Sequence, residues 1–532
     1  MKTLCLLIGC YGSFALAFAQ PARELSDTLE LPLLENERWW GGMVSHGMQM
    51  PFGTEHYAVD QWGDNNANQA QPLFVSNRGR YLWCDEPLAV TFDAGMLRAA
   101  AHRGKIVHGQ SGTTLREAYL AASQRFFPPS GDIPDSLLFT RPQFNTWIEL
   151  QYDQNEAAIL SYAQSIVDRG FAPGVLMIDD TWQANYGTWQ FAPERFTDPA
   201  GMMEKLHALG FKVMLWICPF VSADSPNYRK LSEQGVLMFE DSTHAWPAMV
   251  RWWNGVSAVL DLSHPEGRAW YTAQMQQLMN EYGVDGFKLD AGDAHFYQGL
   301  SGHQEGLLAN DHSTLHAQVG LAFPMNEYRA CWKMGGQALA QRLRDKLHRW
   351  EDLRSLIPDM LAQGLMGYPY GCPDMIGGGD VVSFENDEVL DEELIVRSTQ
   401  VHALMPMMQF SVAPWRVLSA EHLAICQEMA QLHQRMGAEI MQLAQSSALT
   451  GEPIVRAMEY VFPEQDYEAI KDQFMVGDDI LVAPVVQPES RSRVVHFPAG
   501  TWKGDDGKEY VGPTQVALDV PIERLPWFRR KE

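Results

Sequence analysis

From about residue 30 to 135 the chain alternates apolar and polar positions between turn residues. In QPLFVSNRGRYLWCDEPLAVTFDAG, β-branched and aromatic residues fall between Gly, Asn and Asp, a pattern that predicts short antiparallel strands packed as a sandwich. After RPQFNTWIELQYD the rhythm changes. GVLMIDDTW reads as a short apolar strand, DPAGMMEKLHALGF as a capped amphipathic helix and KVMLWICPF as another strand, and further helix–strand pairs run to about residue 412. Repeated βα units predict a parallel sheet. The strand candidates are Phe144–Glu149, Val175–Asp180, Val213–Phe220, Gly286–Asp290, Phe323–Glu327, Leu343–Asp345, Leu365–Pro373 and His402–Val412, which fit an α/β fold with a closed (β/α)8 TIM barrel. SAEHLAICQEMAQLHQRMGAEIMQLAQ then predicts a long helix, and from about residue 452 the chain returns to strands and turns, predicting a C-terminal antiparallel β-sandwich. The expected partition is a leader over 1–19, an N-terminal β-sandwich over 20–138, the barrel over 139–450 and the C-terminal sandwich over 451–532.

Charge narrows the partners. Acidic residues number 66 against 40 basic ones, a net charge of −26 with no Lys/Arg-rich run, so a nucleic acid would be repelled at long range. The opening MKTLCLLIGCYGSFALAFAQPA has one lysine, an apolar run and Ala17-Phe18-Ala19, the pattern of a cleaved export signal, which predicts a secreted or periplasmic protein cut near Ala19. LIGC offers a lipoprotein alternative at Cys10, with a short apolar stretch before it. No other segment reaches 18 uninterrupted apolar residues, so no membrane span is expected. Cys84, Cys218, Cys331, Cys372 and Cys426 remain after the leader, an odd set without close pairs, and the 16 histidines show no H-E-x-x-H spacing. Neither a disulfide framework, a metal nor a cofactor is expected. Oligomeric state is not legible.

The candidate chemistry lies at strand ends. GFKLD has the apolar character of a core strand, yet it carries Lys288 and Asp290, residue types rarely buried without partners. Asp179 and Asp180 in MIDD, Asp345 in RLRD and Asp374 in GCPD also close strand candidates, at the end of a barrel where active sites form. Any one of these acids could be a helix cap. Together they suit a pair of facing carboxylates, one nucleophile and one acid, which retaining glycoside hydrolysis places about 5–5.5 Å apart. Spacing alone does not select the pair.

Motifs do. FKLDAGD matches in frame the nucleophile segment of glycoside hydrolase family 31, and RDKLHRWEDL matches its G-D-x-x-x-x-W-x-x-L acid/base motif except that Arg344 replaces the glycine. PYGCPDMIGG and the tail QFMVGDDILVAPVV with PAGTWKGDDG extend the resemblance from about residue 40 to the end. The resemblance implies Asp290 as nucleophile, Asp345 as acid/base, Arg329 as a holder of the nucleophile and sugar hydroxyls, and Asp374 as a further substrate-binding residue. Two departures bear on the sugar. Lys288 stands where related α-glucosidases carry Trp, and Gln409, Phe410 and Ser411 stand where they carry R-N-H, so a glucose-reading histidine is missing. IDDTW and KLD are similar to patterns of α-galactosidases, which implies that Asp179, Asp180 and Lys288 bind the axial O4 and the O6, with Lys288 and Asp290 paired to each other and to the sugar. Trp216 is a candidate floor for the sugar, with Trp182 and Trp332 as alternatives. The resemblance therefore implies an exo-α-galactosidase acting on oligosaccharides or glycosides. An α-glucosidase, an α-xylosidase and a non-catalytic sugar binder remain as alternatives.

Overall fold

A computed structural model of the chain describes residues 26–384 and 390–531. The leader expected over residues 1–19, with Cys5 and Cys10, lies outside them.

Eight parallel strands form the barrel: β1 (Gln143–Asn145), β2 (Val175–Ile178), β3 (Lys212–Ile217), β4 (Gly286–Leu289), β5 (Asn326–Tyr328), β6 (Gln341–Arg342), β7 (Gly371–Cys372) and β8 (Gln409–Phe410). They pair in the order β7-β6-β5-β4-β3-β2-β1-β8, and the amide of Ile376, just past β7, donates to the Gln409 carbonyl at 2.9 Å across the remaining seam. Seven of the eight expected strands are present, several of them shorter than their apolar runs; the sixth is Gln341–Arg342, and the expected Leu343–Asp345 is the loop that follows it. Glu149 lies in a helical turn, Trp147–Leu150, and Phe220 opens a strand of a separate three-stranded sheet. Leu365 and His402 end the helices Trp350–Leu365 and Glu392–His402. The second half of the first helix and much of the second are buried all round, so their apolar runs lack the 3.6-residue period that distinguishes a helix from a core strand.

The other helices follow local rules. Asp198 caps Pro199–Ala208 by accepting from the Gly201 amide at 3.0 Å. The 31-residue helix Ala420–Thr450 starts at Ser419 and stops at Gly451, whose φ of 80° continues no right-handed helix.

Two antiparallel sheets precede the barrel. One orders Asp27–Pro32, Met96–Ala101, Leu88–Asp93 and Tyr57–Asp60, and the other is built on Gln69–Ser76. Phe52 stacks on Tyr57 at 3.8 Å within their shared core. Cys331–Trp332, just beyond β5, adds to the second sheet in parallel beside Gln69–Ala70, so this layer is joined to the loop that carries Arg329. Past the long helix, six antiparallel strands form a sheet over Phe497, Trp502 and Phe528. The five cysteines of the described residues are free and buried.

Candidate active site

The site lies at the C-terminal ends of the barrel strands, where a cavity of about 840 Å³ is lined by Asp179, Asp180, Trp216, Lys288, Asp290, Arg329 and Asp345, among others. Along β4 the alternation of side chains sends Phe287 against Phe323 and leaves Lys288 and Asp290 on the cavity wall. Asp290 Oδ1 accepts from its neighbour's amide, Ala291 N, at 2.9 Å and from Arg329 Nε at 3.2 Å, while Oδ2 accepts from Trp216 Nε1 at 3.1 Å. Ala291 is held at φ 60°, a conformation that a non-glycine residue adopts at a cost of about 1 kcal/mol or more. Burial pushes the Asp290 carboxyl up, but Arg329, Lys288 and Arg342 outweigh it and hold the group well below the usual carboxylate range. Arg329 is itself fixed by two bonds to Asp293, at 3.0 and 2.7 Å, and by one to the Ala67 carbonyl at 2.7 Å.

Lys288 departs from the expected pairing. Its ammonium bonds Asp179 Oδ2 at 2.7 Å, with both side chains at most 5% exposed, and acts on Asp290 through the field alone. Burial disfavours the ammonium, but Asp179 overcompensates and raises its pKa. Asp180 is saturated. Its Oδ1 accepts from Thr181 N at 2.6 Å and Gln183 Nε2 at 3.1 Å, and its Oδ2 from Tyr186 OH at 3.1 Å and Asn254 Nδ2 at 2.5 Å. Four donors fill the acceptor sites of one carboxylate. Burial and the adjacent Asp179 nevertheless push Asp180 up to about 7. Asp179 takes only Lys288 and the Asp180 amide, at 2.8 Å, and keeps acceptor capacity toward the cavity.

Asp345 stands at the rim with its side chain 42% exposed, tethered at 2.7 Å to Arg342 Nη1. The same nitrogen bonds Asp374 Oδ1 at 2.6 Å. Asp374, expected to bind substrate, does not line the cavity. It is buried behind Arg342 and accepts from the Lys346 and Gly379 amides at 2.6 and 2.7 Å. Burial pushes it up to about 7, against the pull of Arg342. Its place in the chain points it inward because β7 ends two residues earlier and the following glycine turn wraps its carboxylate. Of the three tryptophans expected at the site Trp216 lines the cavity; Trp182 is wholly buried and donates to the Trp216 carbonyl at 2.8 Å, and Trp332 is buried in the joined sheet. Gln409, in the segment expected to replace R-N-H, donates to Glu327 at 2.7 Å inside the barrel.

Several residues that line or brace the site carried no recognisable signal. Arg342 lies in QRLRD, where only Asp345 matched a motif. Asn254, Arg251 and Trp253 come from the hairpin Met249–Trp252 and Gly255–Val259, inserted between β3 and β4, and Ser45 and Ala67 come from the N-terminal layer. The described residues hold no group of three or more His, Cys, Asp or Glu side chains fit for a metal ion. The arrangement supplies one buried carboxylate kept anionic by three cations, a second carboxylate open to solvent, and a charged wall between them and the cavity floor.

The model of the glycosyl hydrolase family 31 TIM-barrel domain matches residues 139–436, and that of the family's C-terminal domain matches residues 451–532. The chain belongs to glycoside hydrolase family 31. Within the family it is 34% identical to the mouse myogenesis-regulating glycosidase over 75% of its length, and it spans 57% of that relative. A Flavobacterium johnsoniae family 31 dextranase superposes with a TM-score of 0.83 at 20% identity, covering 95% of this chain and 66% of the dextranase. A family 31 α-xylosidase from a soil metagenome gives 0.82 at 22% identity, over 96% of this chain and 81% of its own. These two structural likenesses speak for the fold.

Proposed function

We propose that this glycosidase is a retaining exo-α-galactosidase in which Asp290 is the nucleophile and Asp345 the acid/base. Asp290 attacks the anomeric carbon while Asp345 gives its proton to the leaving oxygen; Asp345 then takes a proton from water, which releases the sugar from Asp290 with net retention. Three cations around Asp290 favour the ionised form that attack needs. Exposure of Asp345 at the rim lets it exchange protons with solvent between the two steps.

The observation that carries the sugar identity is the Lys288–Asp179 pair on the wall beside Asp290. It presents an ammonium with further donors and a carboxylate with free acceptor sites, the complement of an axial O4 and a nearby O6. An equatorial O4 leaves such groups unpaired, and a site built to hydrogen-bond one hydroxyl can discriminate by about 10⁴. Asp180, with its four donors, buttresses Asp179 and fixes Asn254 rather than reaching the sugar itself.

A second reading, α-xylosidase or α-glucosidase, draws on the α-xylosidase named among the similar structures. A xyloside has no O6, so it would strand part of the pair. A sugar-binding protein without turnover is disfavoured by the presence of Asp290, Asp345 and Arg329 in one cavity. The test is hydrolysis of nitrophenyl α-galactoside, α-glucoside and α-xyloside under one condition. Preference for the galactoside in kcat/KM is the expected outcome; preference for either other sugar rejects the galactose assignment, and no turnover with tight sugar binding rejects the enzyme.

A further inference from the structure

Most bases on the cavity wall are neutralised by an acid. Lys288 pairs with Asp179, Arg329 with Asp290 and Asp293, Lys346 with Asp359 at 2.6 Å, and Arg349 with Asp352 at 3.0 Å. Arg344 and Arg251 are not. Both are exposed and line the cavity, and among the described residues neither has an ion pair or a side-chain hydrogen bond. In a chain with 66 acidic residues against 40 basic ones, two unpaired arginines on one cavity are unexpected as surface solvation alone. Arg344 is also where the chain departs from the family motif, replacing the glycine before Asp345.

The nearby acids are already engaged. Asp345 is held by Arg342, Asp359 by Lys346, and Asp352 by Arg349 and by the Leu347 amide at 2.6 Å; Asp380 accepts from the Val382 amide at 3.1 Å. Arg344 adjoins the carboxyl that protonates the leaving oxygen, so its charge is offered on the leaving-group side of the scissile bond. Trp253, two residues from Arg251, gives the same cavity an apolar surface: its half-exposed ring lies 5.0 Å from Trp252 and 5.7 Å from the Arg329 guanidinium. A sugar ring has an apolar face suited to an indole and a polar rim suited to guanidinium.

We propose that the leaving group of the natural substrate is a sugar bearing an anionic substituent, a carboxylate or a sulfate, taken by Arg344 and Arg251 over Trp253. This rests on the glycosidase reading but not on which glycone is cleaved.

The experiment fixes the glycone at the one the nitrophenyl panel selects and varies the leaving sugar among glucuronate, glucose 6-sulfate and glucose. The wild-type protein should favour an anionic leaving group by about 10-fold in kcat/KM, as expected for one charge-assisted contact at a solvated rim. The preference should shrink as salt is raised beyond physiological strength, where the screening length is already about 8 Å. R344M and R251M should each lower the anionic-to-neutral ratio, whereas R435M, on an exposed helix face where Arg435 pairs with Glu428 at 2.6 Å, should keep it. Preference for glucuronate alone assigns a carboxylate, and preference for the 6-sulfate alone assigns a sulfate. Equal kcat/KM on all three sugars, or a ratio that neither arginine variant moves, overturns the proposal. If no glycoside is turned over, the hydrolase reading and the leaving-group role fall together, and calorimetric titration of the wild-type protein with methyl glucuronoside and methyl glucoside decides the anion site: anion-selective binding lost in R344M keeps that site, and equal or absent binding of the two removes it as well.

Discussion

Removing one charge of the Lys288–Asp179 pair should separate its structural work from its reading of the sugar. The side chains are 5% and 3% exposed and 2.7 Å apart, so D179N or K288M alone leaves a buried charge without its partner. Breaking such a pair costs about 3–5 kcal/mol of stability, and D179N/K288M, which removes both charges, should regain most of that loss. Activity should not follow. A hydrogen bond from a charged group to a substrate hydroxyl is worth about 1.5–3 kcal/mol, so each single variant should lose roughly 10- to 150-fold in galactoside kcat/KM, and the double variant should stay low because both contacts are gone. The two readouts are the denaturation midpoint and kcat/KM on nitrophenyl α-galactoside against α-glucoside, for wild type and the three variants. Recovery of galactoside activity together with stability in the double variant would refute the reasoning. So would equal losses on both sugars in all three variants, because the pair would then be holding the barrel without reading O4 or O6.

D290N should lower turnover by several orders of magnitude, and azide should restore a reaction that yields the glycosyl azide of inverted configuration; an azide of retained configuration would assign Asp290 another role. D345A should spare nitrophenyl glycosides, whose leaving group departs without a proton, and lose most activity on disaccharides; equal losses on the two would count against Asp345 as the acid.

The barrel was legible because β2, β3 and β4 are apolar runs, β2 and β4 of them running into charge, and because the helix after Asp198 declares itself by cap and period. The last strands were less so. Leu365 and His402 belong to buried helices, and where a helix is buried on all sides burial erases the polar face that marks it. At the site, motif matches brought Asp179, Asp180, Lys288, Asp290, Arg329 and Asp345 to one cavity, as the structure places them, but they put Asp374 there too. What separates Asp374 from the others is a single guanidinium, Arg342, reaching across from β6. Partners such as Asn254 on Asp180, 74 residues apart, or Ala67 on Arg329, 262 residues apart, depend on how an inserted hairpin and a separate layer dock, which local pattern does not encode.

The same lysine ties selectivity to the nucleophile's ionisation. Lys288 makes no direct bond to Asp290, yet it is one of three cations that hold the Asp290 carboxyl low against its burial. The sign of its removal is therefore fixed. Without Lys288 the burial penalty is opposed by Arg329, Arg342 and the Ala291 amide, and the pKa of Asp290 rises. Because attack requires the anion, the acid limb of kcat/KM, which reports the free enzyme, should move to higher pH in K288M, while the wild type should stay level down to the ordinary carboxylate range near about pH 4. Stability follows the same linkage: Asp290 contributes above its unfolded pKa and loses that contribution as pH falls through its folded one, so K288M should lose it at higher pH than wild type. D179N gives the opposite sign, since it frees the lysine's field for Asp290 and should not raise the limb. If the acid limbs of K288M and wild type coincide, Lys288 does not govern the nucleophile, and Arg329 and Arg342 suffice to keep Asp290 charged.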